Sequence, residues 1–422
     1  MSQTPDRLRH SLGSQIAVQA LRLVISIGLS GWLARYLGPT SLGKLSYASA
    51  LVGLVAPLGN LGVPGSLSAL LCETPQLPGL TPTALLIELA GTAIIALTLL
   101  PVAFFSQDPI IAILIAIAVL GNLFSSVEVL EAELLVEQRG TLLARIGLFP
   151  LFANALLTSF AILLQAPLII FGWLQMLQAM LRACCVGFVR SSRETLQQLS
   201  QVNAKAATAL IKRGLPLVVA GLSVSFYMRS DQVMLQWLKG AEAVGQYSVA
   251  VKISETLYFL PMILSTTYFS RVGKAGSLQL ANQELKRLYQ YSWLLGIAMM
   301  LANIVIFPPM IPVLFGDSFE QAQLALCYSG PAAFAVSMGY ASSCWLQLLK
   351  LEWIATARTG LGALVNVVLN FALIPKFGAI GAAVATSISY LVATFAITLL
   401  LNKSSRRNTL LLLYPFALEN PG

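Results

Sequence analysis

Histidine and charged residues are both scarce in this chain. Of its 422 residues, one is a histidine, His10, and 10% are charged, whereas soluble domains carry about a quarter. A single histidine excludes histidine-based metal sites and Ser-His or Cys-His catalysis within the apolar body of the chain. No glycine-rich phosphate loop precedes a Lys-Ser or Lys-Thr pair. We therefore expect no enzymatic activity, no built-in ATPase, and no cofactor or metal.

Cysteine is also infrequent, with five residues and hence an odd count. All five lie in or beside apolar runs, which is typical of small buried side chains rather than of disulfides or metal ligands. They are Cys72, Cys184, Cys185, Cys327 and Cys344.

Apolar residues make up 57% of the chain and recur in windows of about 20, the length that crosses the hydrocarbon core of a bilayer. The N-terminus lacks a cleavage pattern, so we expect the first run to remain as a span. The composition predicts an all-α integral membrane protein with about 12 transmembrane helices. The predicted spans are 12–36, 45–70, 82–105, 110–136, 141–164, 167–190, 210–238, 244–270, 289–315, 322–349, 353–374 and 378–401.

The net charge of +9 is a topology signal. Most lysines and arginines fall in loops on one predicted side, whereas the opposite loops hold Lys44, Lys239 and Lys376. The positive-inside rule makes the rich side cytoplasmic and places both termini there. The short loops cannot form a folded basic face, so we expect no nucleic acid partner.

The two halves of the chain resemble each other. Gly38 matches Gly240, and Gly43 matches Gly245, each pair 202 residues apart. An even number of spans per copy predicts two six-helix lobes in parallel orientation, with alternating access to a path between them. The predicted domains are an N-terminal lobe at 1–192, a cytoplasmic connector at 193–208, a C-terminal lobe at 209–408 and a short apolar tail at 409–422.

A polar stripe with a basic residue follows one face of the first span. Gln15, Gln19, Arg22, Ser26 and Ser30 are spaced four, three, four and four. A charge at bilayer depth costs about 3 kcal/mol, so such a residue usually faces protein or a wet cavity. Because no acid lies in the same span, we interpret Arg22 and Gln19 as cavity-lining residues.

The seventh and eighth spans repeat this pattern. Arg229 and Gln232 lie on a polar stripe of the seventh span, and Lys252 lies three residues before Glu255 in the eighth. For Lys252 an internal ion pair with Glu255 is the preferred interpretation, with substrate contact as the alternative. Asp231 falls on a different face from Arg229.

Embedded acids allow two interpretations. Glu128 begins a run of four acids near the cytoplasmic end of the fourth span, with Glu131, Glu133 and Glu137 following. A structural salt network with Arg139, Arg145 and Arg182 is the preferred interpretation. The alternative is a proton or sodium site, since a desolvated carboxylate can cycle a cation. Glu88, Asp231 and Glu255 are further candidates for that role.

Several segments together resemble bacterial polysaccharide flippases of the multidrug/oligosaccharidyl-lipid/polysaccharide exporter superfamily, over nearly the whole chain. These segments are 34–39 (ARYLGP), 229–235 (RSDQVML), 244–250 (VGQYSVA), 260–261 (LP), 314–319 (LFGDSF) and 374–386 (IPKFGAIGAAVAT), with Asn366 and Asn370.

This resemblance implies a transporter in the bacterial cytoplasmic membrane that moves a polyprenyl-diphosphate-linked oligosaccharide to the periplasmic leaflet. Expected partners are that substrate, membrane lipids, H⁺ or Na⁺, and other polysaccharide-assembly proteins. A diphosphate needs cationic partners, and Arg22 and Arg229, with Lys252 as a third, are suitable. The alternatives are a cation-coupled drug or metabolite antiporter of the same superfamily, or a membrane-embedded glycan polymerase or ligase.

Overall fold

The computed structural model describes residues 5–74, 78–190, 202–348 and 351–396. Side chains are described from residue 21 onward, except at positions 278, 352 and 396. Within these ranges the regular secondary structure is helical, with no strand. Most of the predicted connector at 193–208, the whole predicted tail at 409–422 and both termini lie outside the described residues.

The described ranges contain sixteen α-helices, with short 3₁₀ or π segments between some of them. The first eight are α1 Pro5–Asn60, α2 Val63–Glu73, α3 Leu80–Phe104, α4 Pro109–Asn122, α5 Val127–Val136, α6 Gly140–Ile146, α7 Leu148–Leu163 and α8 Leu168–Arg190. The remaining eight are α9 Ala204–Lys239, α10 Ala241–Thr256, α11 Phe259–Gly273, α12 Leu278–Leu301, α13 Met310–Phe315, α14 Glu320–Tyr328, α15 Gly330–Leu348 and α16 Glu352–Leu391.

These helices account for the twelve predicted spans. Among the described residues, 9 helical stretches are long and apolar enough to cross a membrane. Two of them, Leu21–Glu73 and Trp353–Phe395, contain a non-helical glycine, Gly38 and Gly378 respectively, so each consists of two spans. The stretch 320–348, formed by α14 and α15, supplies the twelfth span. The prediction of an all-α membrane protein with about 12 helices is confirmed.

The outer surface of the helices is apolar. Leu97 is 76% exposed, and Phe104 and Phe188 are each 83% exposed. Large apolar side chains at that exposure are unfavourable in water and favourable against lipid hydrocarbon. The exposed apolar surface and the length of the helices together identify a multi-pass membrane protein.

The chain forms two compact units, and the boundary between them falls within α9. Unit 1 contains Met1–Leu37 and Lys44–Ser225, and unit 2 contains Gly38–Gly43 and Phe226–Gly422. In unit 1, α2, α3, α5 and the first turns of α9 share an apolar cluster of eight buried residues: Val63, Leu67, Leu70, Leu80, Ala84, Val129, Ala206 and Leu210.

The core of unit 2 contains more aromatic side chains. Residues of α11, α12 and α15 form a buried cluster that includes Tyr268, Tyr289 and Met338. Phe315 and Phe319 are fully buried and pack edge to face, with ring centroids 6.4 Å apart. These contacts hold the helices of unit 2 around the polar residues described below.

The glycines of the predicted repeat adopt matching backbone conformations, and the residues concerned all lie in unit 2. Gly38 and Gly240 both have positive φ, 69° and 85°, with extended ψ, a conformation that strains residues with a Cβ. A Cβ on Gly43 would lie 1.7 Å from the Ala241 carbonyl oxygen, and one on Gly245 would lie 1.9 Å from the Pro39 carbonyl oxygen. The two copies therefore contact each other reciprocally at equivalent glycines, which explains why glycine recurs at these repeat positions.

The expectation that the cysteines are buried is wrong for most of them. All five are free, but Cys72 and Cys184 are exposed, Cys185 and Cys327 are half-buried, and only Cys344 is buried. In a membrane protein an apolar run has a face toward lipid as well as a face toward protein, so an apolar neighbourhood in sequence does not imply burial.

Candidate substrate and ion sites

Arg22 lines a cavity of about 500 Å³ in unit 1. Its Nη2 donates a hydrogen bond to the Ala144 carbonyl oxygen at 2.6 Å, whereas its buried Nε has no partner. A Cβ on Gly147 would lie 2.2 Å from that Nη2, so any larger residue there would displace the guanidinium from its present position. Ser26, one turn later on the polar stripe, lines the same cavity. The guanidinium is thus held from one side and retains an unused donor.

A second guanidinium lines this cavity. Arg182 on α8 donates from Nε and Nη2 to the two oxygens of Glu131, at 2.7 and 2.6 Å. The Arg182 side chain is 52% exposed, and it also lines a neighbouring cavity of about 310 Å³ together with Glu128 and Gln175. Two arginines therefore surround one carboxylate at the larger cavity, which leaves an excess of positive charge there.

The predicted salt network on α5 is confirmed for three of its four acids. Glu131 pairs with Arg182, and Glu133 and Glu137 both contact Arg190. Arg139 adds a longer pair with Glu137 at 3.6 Å. The prediction did not include Arg190, which reaches the acids because α8 packs against α5.

Glu88 differs from the other acids of unit 1. It lies on α3, is 3% exposed, and neither of its carboxyl oxygens has a hydrogen-bond partner. Glu128 is near enough to act on it electrostatically. Glu88 and Glu128, two of the acids that the sequence suggested for ion coupling, thus interact electrostatically without a hydrogen bond between them in the described structure.

In unit 2 the second predicted arginine is paired with an acid. Arg229 on α9 lies 3.6 Å from Glu255 on α10, measured from Nη2 to Oε2. Lys252 is exposed on the same helix and acts on Glu255 electrostatically. The sequence favoured Lys252 as the ion partner of Glu255, but in the structure Arg229 takes that position. Packing of α9 against α10 decides this, because spacing along one helix does not include partners from another helix.

Asp231 lies on a different face of α9 from Arg229 and is 2% exposed. Its Oδ1 accepts the backbone N–H of Gln232 at 2.8 Å. Its Oδ2 accepts the Tyr247 hydroxyl and, at 3.3 Å, the Thr386 hydroxyl. This carboxyl group is therefore surrounded by donors from α9, α10 and α16.

The network extends through two buried asparagines. Asn366 Nδ2 donates to Thr386 Oγ1 at 3.2 Å, and its Oδ1 accepts Asn370 Nδ2 at 2.8 Å and Ser230 Oγ at 3.1 Å. Asn370 is fully buried, and its own Oδ1 has no partner. The result is a cluster of oxygen atoms, one of which is left without a donor.

A cavity of about 20 Å³ adjoins this network, enough for one water molecule. Its lining includes Asp231, Tyr247, Glu255, Tyr258 and Thr386. Two carboxyl groups of unit 2 thus share one small polar space. Within the described residues, no group of three or more His, Cys, Asp or Glu side chains could hold a metal ion.

The sequence pattern did not identify one buried cation, nor the hydroxyl groups that donate to Asp231. Arg358 is 7% exposed, and its guanidinium donates to the Ser342 and Ser343 hydroxyls and to the Gly339 carbonyl oxygen. An arginine inside an apolar run was a visible signal. Tyr247 and Thr386 gave no such signal, because hydroxyl residues are common in membrane helices.

Two predicted cavity-lining residues remain predictions. The side chain of Gln19 lies outside the described residues. Gln232 is 5% exposed, and the hydrogen bond that it donates to Asp231 comes from its backbone N–H rather than from its side chain.

Two family profiles and one curated relative match this chain. The profile of the family described as polysaccharide biosynthesis protein matches residues 10–272, and the MatE profile matches residues 216–372. A relative in Haloferax volcanii, named as the probable low-salt glycan biosynthesis flippase Agl15, is 24% identical over 371 residues, which are 86% of this chain and 77% of the relative.

Two solved structures share the fold. One is the inward-facing conformation of a multidrug resistance MATE family transporter of the MOP superfamily, with a TM-score of 0.73 and 15% identity, covering 96% of this chain and 99% of that one. The other is the lipid II flippase MurJ in an inward closed conformation, with a TM-score of 0.71 and 14% identity, covering 95% of this chain and 90% of that one.

Proposed function

The chain belongs to the polysaccharide biosynthesis protein family, and on that premise we propose that it is a flippase for a lipid-linked oligosaccharide. Its cargo is a polyprenyl-diphosphate-linked glycan, which it moves from the cytoplasmic to the periplasmic leaflet by alternating access, without chemical conversion. The names of the Haloferax volcanii relative and of the lipid II flippase support this class of cargo.

The observation that carries the proposal is the pair of guanidinium groups at the 500 Å³ cavity of unit 1. A diphosphate is an anion with several acceptor oxygens, and guanidinium groups offer it paired, charge-assisted hydrogen bonds. Arg22 has a donor without a partner, and Arg182 retains an exposed edge beside Glu131. Together they suit an anionic head group in a membrane-embedded unit.

Arg229 and Lys252 are the proposed substrate-binding cations of unit 2. Glu255 neutralises Arg229 in the present structure, at 3.6 Å. A diphosphate at Arg229 would compete with that carboxylate, and Lys252 is close enough to compensate Glu255 when Arg229 turns to the substrate. Gln19 and Gln232 are proposed as glycan-binding side chains on the same stripes.

Asp231 is the proposed site of the coupling cation, H⁺ or Na⁺. Its carboxylate, the Thr386 hydroxyl and the unpartnered Asn370 carbonyl oxygen supply the oxygen ligands that a hard cation prefers. The adjoining cavity also reaches Glu255, so cation binding at Asp231 changes the field at the acid that pairs with Arg229.

The proposed location is the bacterial cytoplasmic membrane, with both termini and the 193–208 connector in the cytoplasm. The positive-inside distribution of lysine and arginine supports this orientation. Single cysteines introduced at positions 200 and 240 into a cysteine-free variant provide the test. In intact cells, an impermeant reagent should label position 240 and leave position 200 unmodified; the reverse would contradict the topology.

Transport by arginine variants tests the cargo. The purified protein in proteoliposomes should make a short polyprenyl-diphosphate oligosaccharide accessible to an external glycosidase. Arg22→Ala and Arg229→Ala should each lower the rate about tenfold or more, because a lost charge-assisted hydrogen bond is worth about 1.5 to 3 kcal/mol. Lysine at either position should restore part of the rate, since it keeps the charge and loses the bidentate geometry.

Arg213→Ala is the matched control, because Arg213 is 40% exposed and pairs with Glu73 at the surface. Its rate should equal that of the unmodified protein. Full activity of the double variant with alanine at positions 22 and 229 would remove this site from consideration.

The antiporter of the same superfamily is the alternative that the embedded acids favour. It requires Asp231 or Glu128 for activity and tolerates loss of the arginines. Cation-driven efflux of a small drug that persists in Arg22→Ala and stops in Asp231→Asn, without any glycan translocation, would establish it instead.

A further inference from the structure

Glu88 lies in the most enclosed part of unit 1. It follows Ala84 by one turn on α3, and Ala84 and Leu80 belong to the apolar cluster that includes Val129 of α5. Gly91, almost one turn later, approaches Gly59 so closely that a Cβ there would lie 1.7 Å from the Gly59 carbonyl oxygen. Apolar packing on one side and backbone contact on the other leave this carboxyl group 3% exposed.

No group in the described structure balances a negative charge on Glu88. Both carboxyl oxygens are without a hydrogen-bond partner. An ionised carboxylate in such a place loses its hydration and gains nothing in return, whereas the neutral acid loses much less. A group that cannot be satisfied as an anion is stable there as a protonated acid.

The elements that pack most extensively against α3 provide no cation. They are α2, α4, α5 and the 3₁₀ segment Leu123–Ser126, and none of the four contains Lys, Arg or His. Helix α1 also contacts α3, at Gly59, and the nearest basic residue of α1 is Lys44, 15 positions before Gly59, which pairs with Asp108. Glu73 at the end of α2 is exposed and paired with Arg213. At the start of α9, which joins the same apolar cluster, Lys205 and Lys212 are exposed.

Glu128 is the acid of α5 that acts on Glu88. Arg182 and Glu131 act in turn on Glu128, but Arg182 directs two hydrogen bonds to Glu131. The remaining acids of α5, Glu133 and Glu137, are held by Arg190. Glu128 also lines the cavity of about 310 Å³ together with Gln175 and Arg182, so the acid that acts on Glu88 has contact with that cavity.

We propose that Glu88 is a proton-binding site, occupied in this conformation, which exchanges its proton through Glu128 with the 310 Å³ cavity. In this conformation no described group lies within hydrogen-bond distance of Glu88, so the exchange requires the side chains of Glu88 and Glu128 to move together. The O–H bond of Glu88 then breaks, the Glu128 carboxylate accepts the proton, and water in the cavity receives it from Glu128. The ligand is H⁺ rather than a metal cation, since the nearby Thr92 hydroxyl already donates to the Leu89 carbonyl oxygen and two carboxyl groups alone make a poor metal shell. This site is distinct from Asp231 and does not depend on the identity of the cargo.

Infrared spectroscopy of the purified protein in lipid membranes tests the proposal without any substrate. A protonated carboxyl group in an apolar site has a C=O stretching band that an ionised carboxylate lacks. In the unmodified protein this band should persist at neutral pH and disappear as the pH is raised. Glu88→Gln should lack it at neutral pH, where exposed carboxyl groups are ionised.

Glu73→Gln is the matched control, because it makes the same chemical change at an exposed carboxyl group of the same unit. It should leave the band unchanged. Glu128→Gln should keep the band but move its loss to lower pH, because a neutral amide replaces a negative neighbour. If Glu88→Gln does not fold, Glu88→Asp provides the comparison: the band should remain and shift in frequency, since the shorter acid sits differently between the same neighbours.

Two outcomes would overturn the proposal. One is a band of full intensity in Glu88→Gln, which would assign the neutral acid to another residue. The other is the absence of any such band in the unmodified protein together with binding of radioactive ²²Na⁺ that Glu88→Gln abolishes, which would make Glu88 a metal-cation ligand. Loss of the band in Glu88→Gln together with unchanged glycan translocation would separate proton binding from the proposed function.

Discussion

Two buried acids, one in each unit, occupy opposite chemical environments. Asp231 in unit 2 is 2% exposed and accepts hydrogen bonds from a backbone amide, the Tyr247 hydroxyl and the Thr386 hydroxyl. Glu88 in unit 1 is 3% exposed and accepts none. Equal burial therefore does not imply equal charge. The donors around each carboxyl group decide whether it can remain an anion away from water.

This contrast separates two ways of using an acid inside a membrane. An acid surrounded by donors and oxygen ligands keeps its charge and can hold a cation, as we propose for Asp231. An acid without donors is stable as the neutral form and can give up a proton only when its surroundings change, as we propose for Glu88. Substitutions at the two positions should accordingly have different effects.

The largest expected effect is a loss of stability in Asp231→Leu that has no counterpart in Glu88→Leu. Removing the Asp231 carboxylate takes the charged acceptor away from the Tyr247 and Thr386 hydroxyls, which as donors keep only their 3.2 Å contact with each other, at a cost of about 3 kcal/mol. Replacing Glu88 by an apolar side chain of similar size leaves no such group, so stability should be equal or higher. Thermal unfolding in detergent measures both variants. Equal destabilisation of the two would mean that Glu88 has partners after all.

An intermediate effect is expected for Tyr247→Phe. This change removes one donor from Asp231 and leaves the ring in place, so it should cost about 1 to 2 kcal/mol in the same unfolding measurement. Tyr340→Phe is the control, because Tyr340 is 36% exposed and its hydroxyl is not among the groups that donate to Asp231 in the described structure. If the control were destabilised to the same extent, the network around Asp231 would not account for the loss.

The smallest effect should come from an acid outside the spans. Asp108 caps α4 by accepting the backbone N–H groups of Ile110 and Ile111, and it pairs with Lys44 at 2.6 Å. The hydrogen bond from Lys44 lowers the pKa of this carboxyl group. Asp108→Ala should cost about 1 kcal/mol of stability near neutral pH, the usual value of an N-cap.

The pH dependence of that loss follows from the lowered pKa of Asp108. A carboxyl group whose pKa falls on folding stabilises the folded state above its ordinary pKa of about 4, and this contribution disappears as the pH falls through the folded value. Unfolding curves of Asp108→Ala and the unmodified protein should therefore converge at acidic pH. Asp108→Asn keeps a capping oxygen and loses the charge, so it should remove most of the pH dependence and part of the stability.

The polar stripes show how far sequence reasoning reached. Spacing placed Arg22 on one face of the first span, and in the structure Arg22 lines a cavity. Spacing also put Asp231 and Arg229 on different faces of one helix, and in the structure they have different partners. Spacing could not name those partners. Arg22 is held by the backbone of residue 144, and Asp231 by hydroxyl groups at 247 and 386. Such contacts cross between helices that are far apart in sequence.

Composition and periodicity determined that this chain is a multi-pass helical membrane protein with about 12 spans, because a bilayer requires apolar segments of a set length whose backbone bonds are internal. The repeat also identified Gly38 and Gly240, because a backbone conformation that strains residues with a Cβ favours glycine at both positions. Only the tertiary structure decided which embedded charges are satisfied. Arg190 neutralises Glu133 and Glu137, Glu255 pairs with Arg229, and Glu88 has no partner, because the field at a buried group comes from whichever helices pack around it.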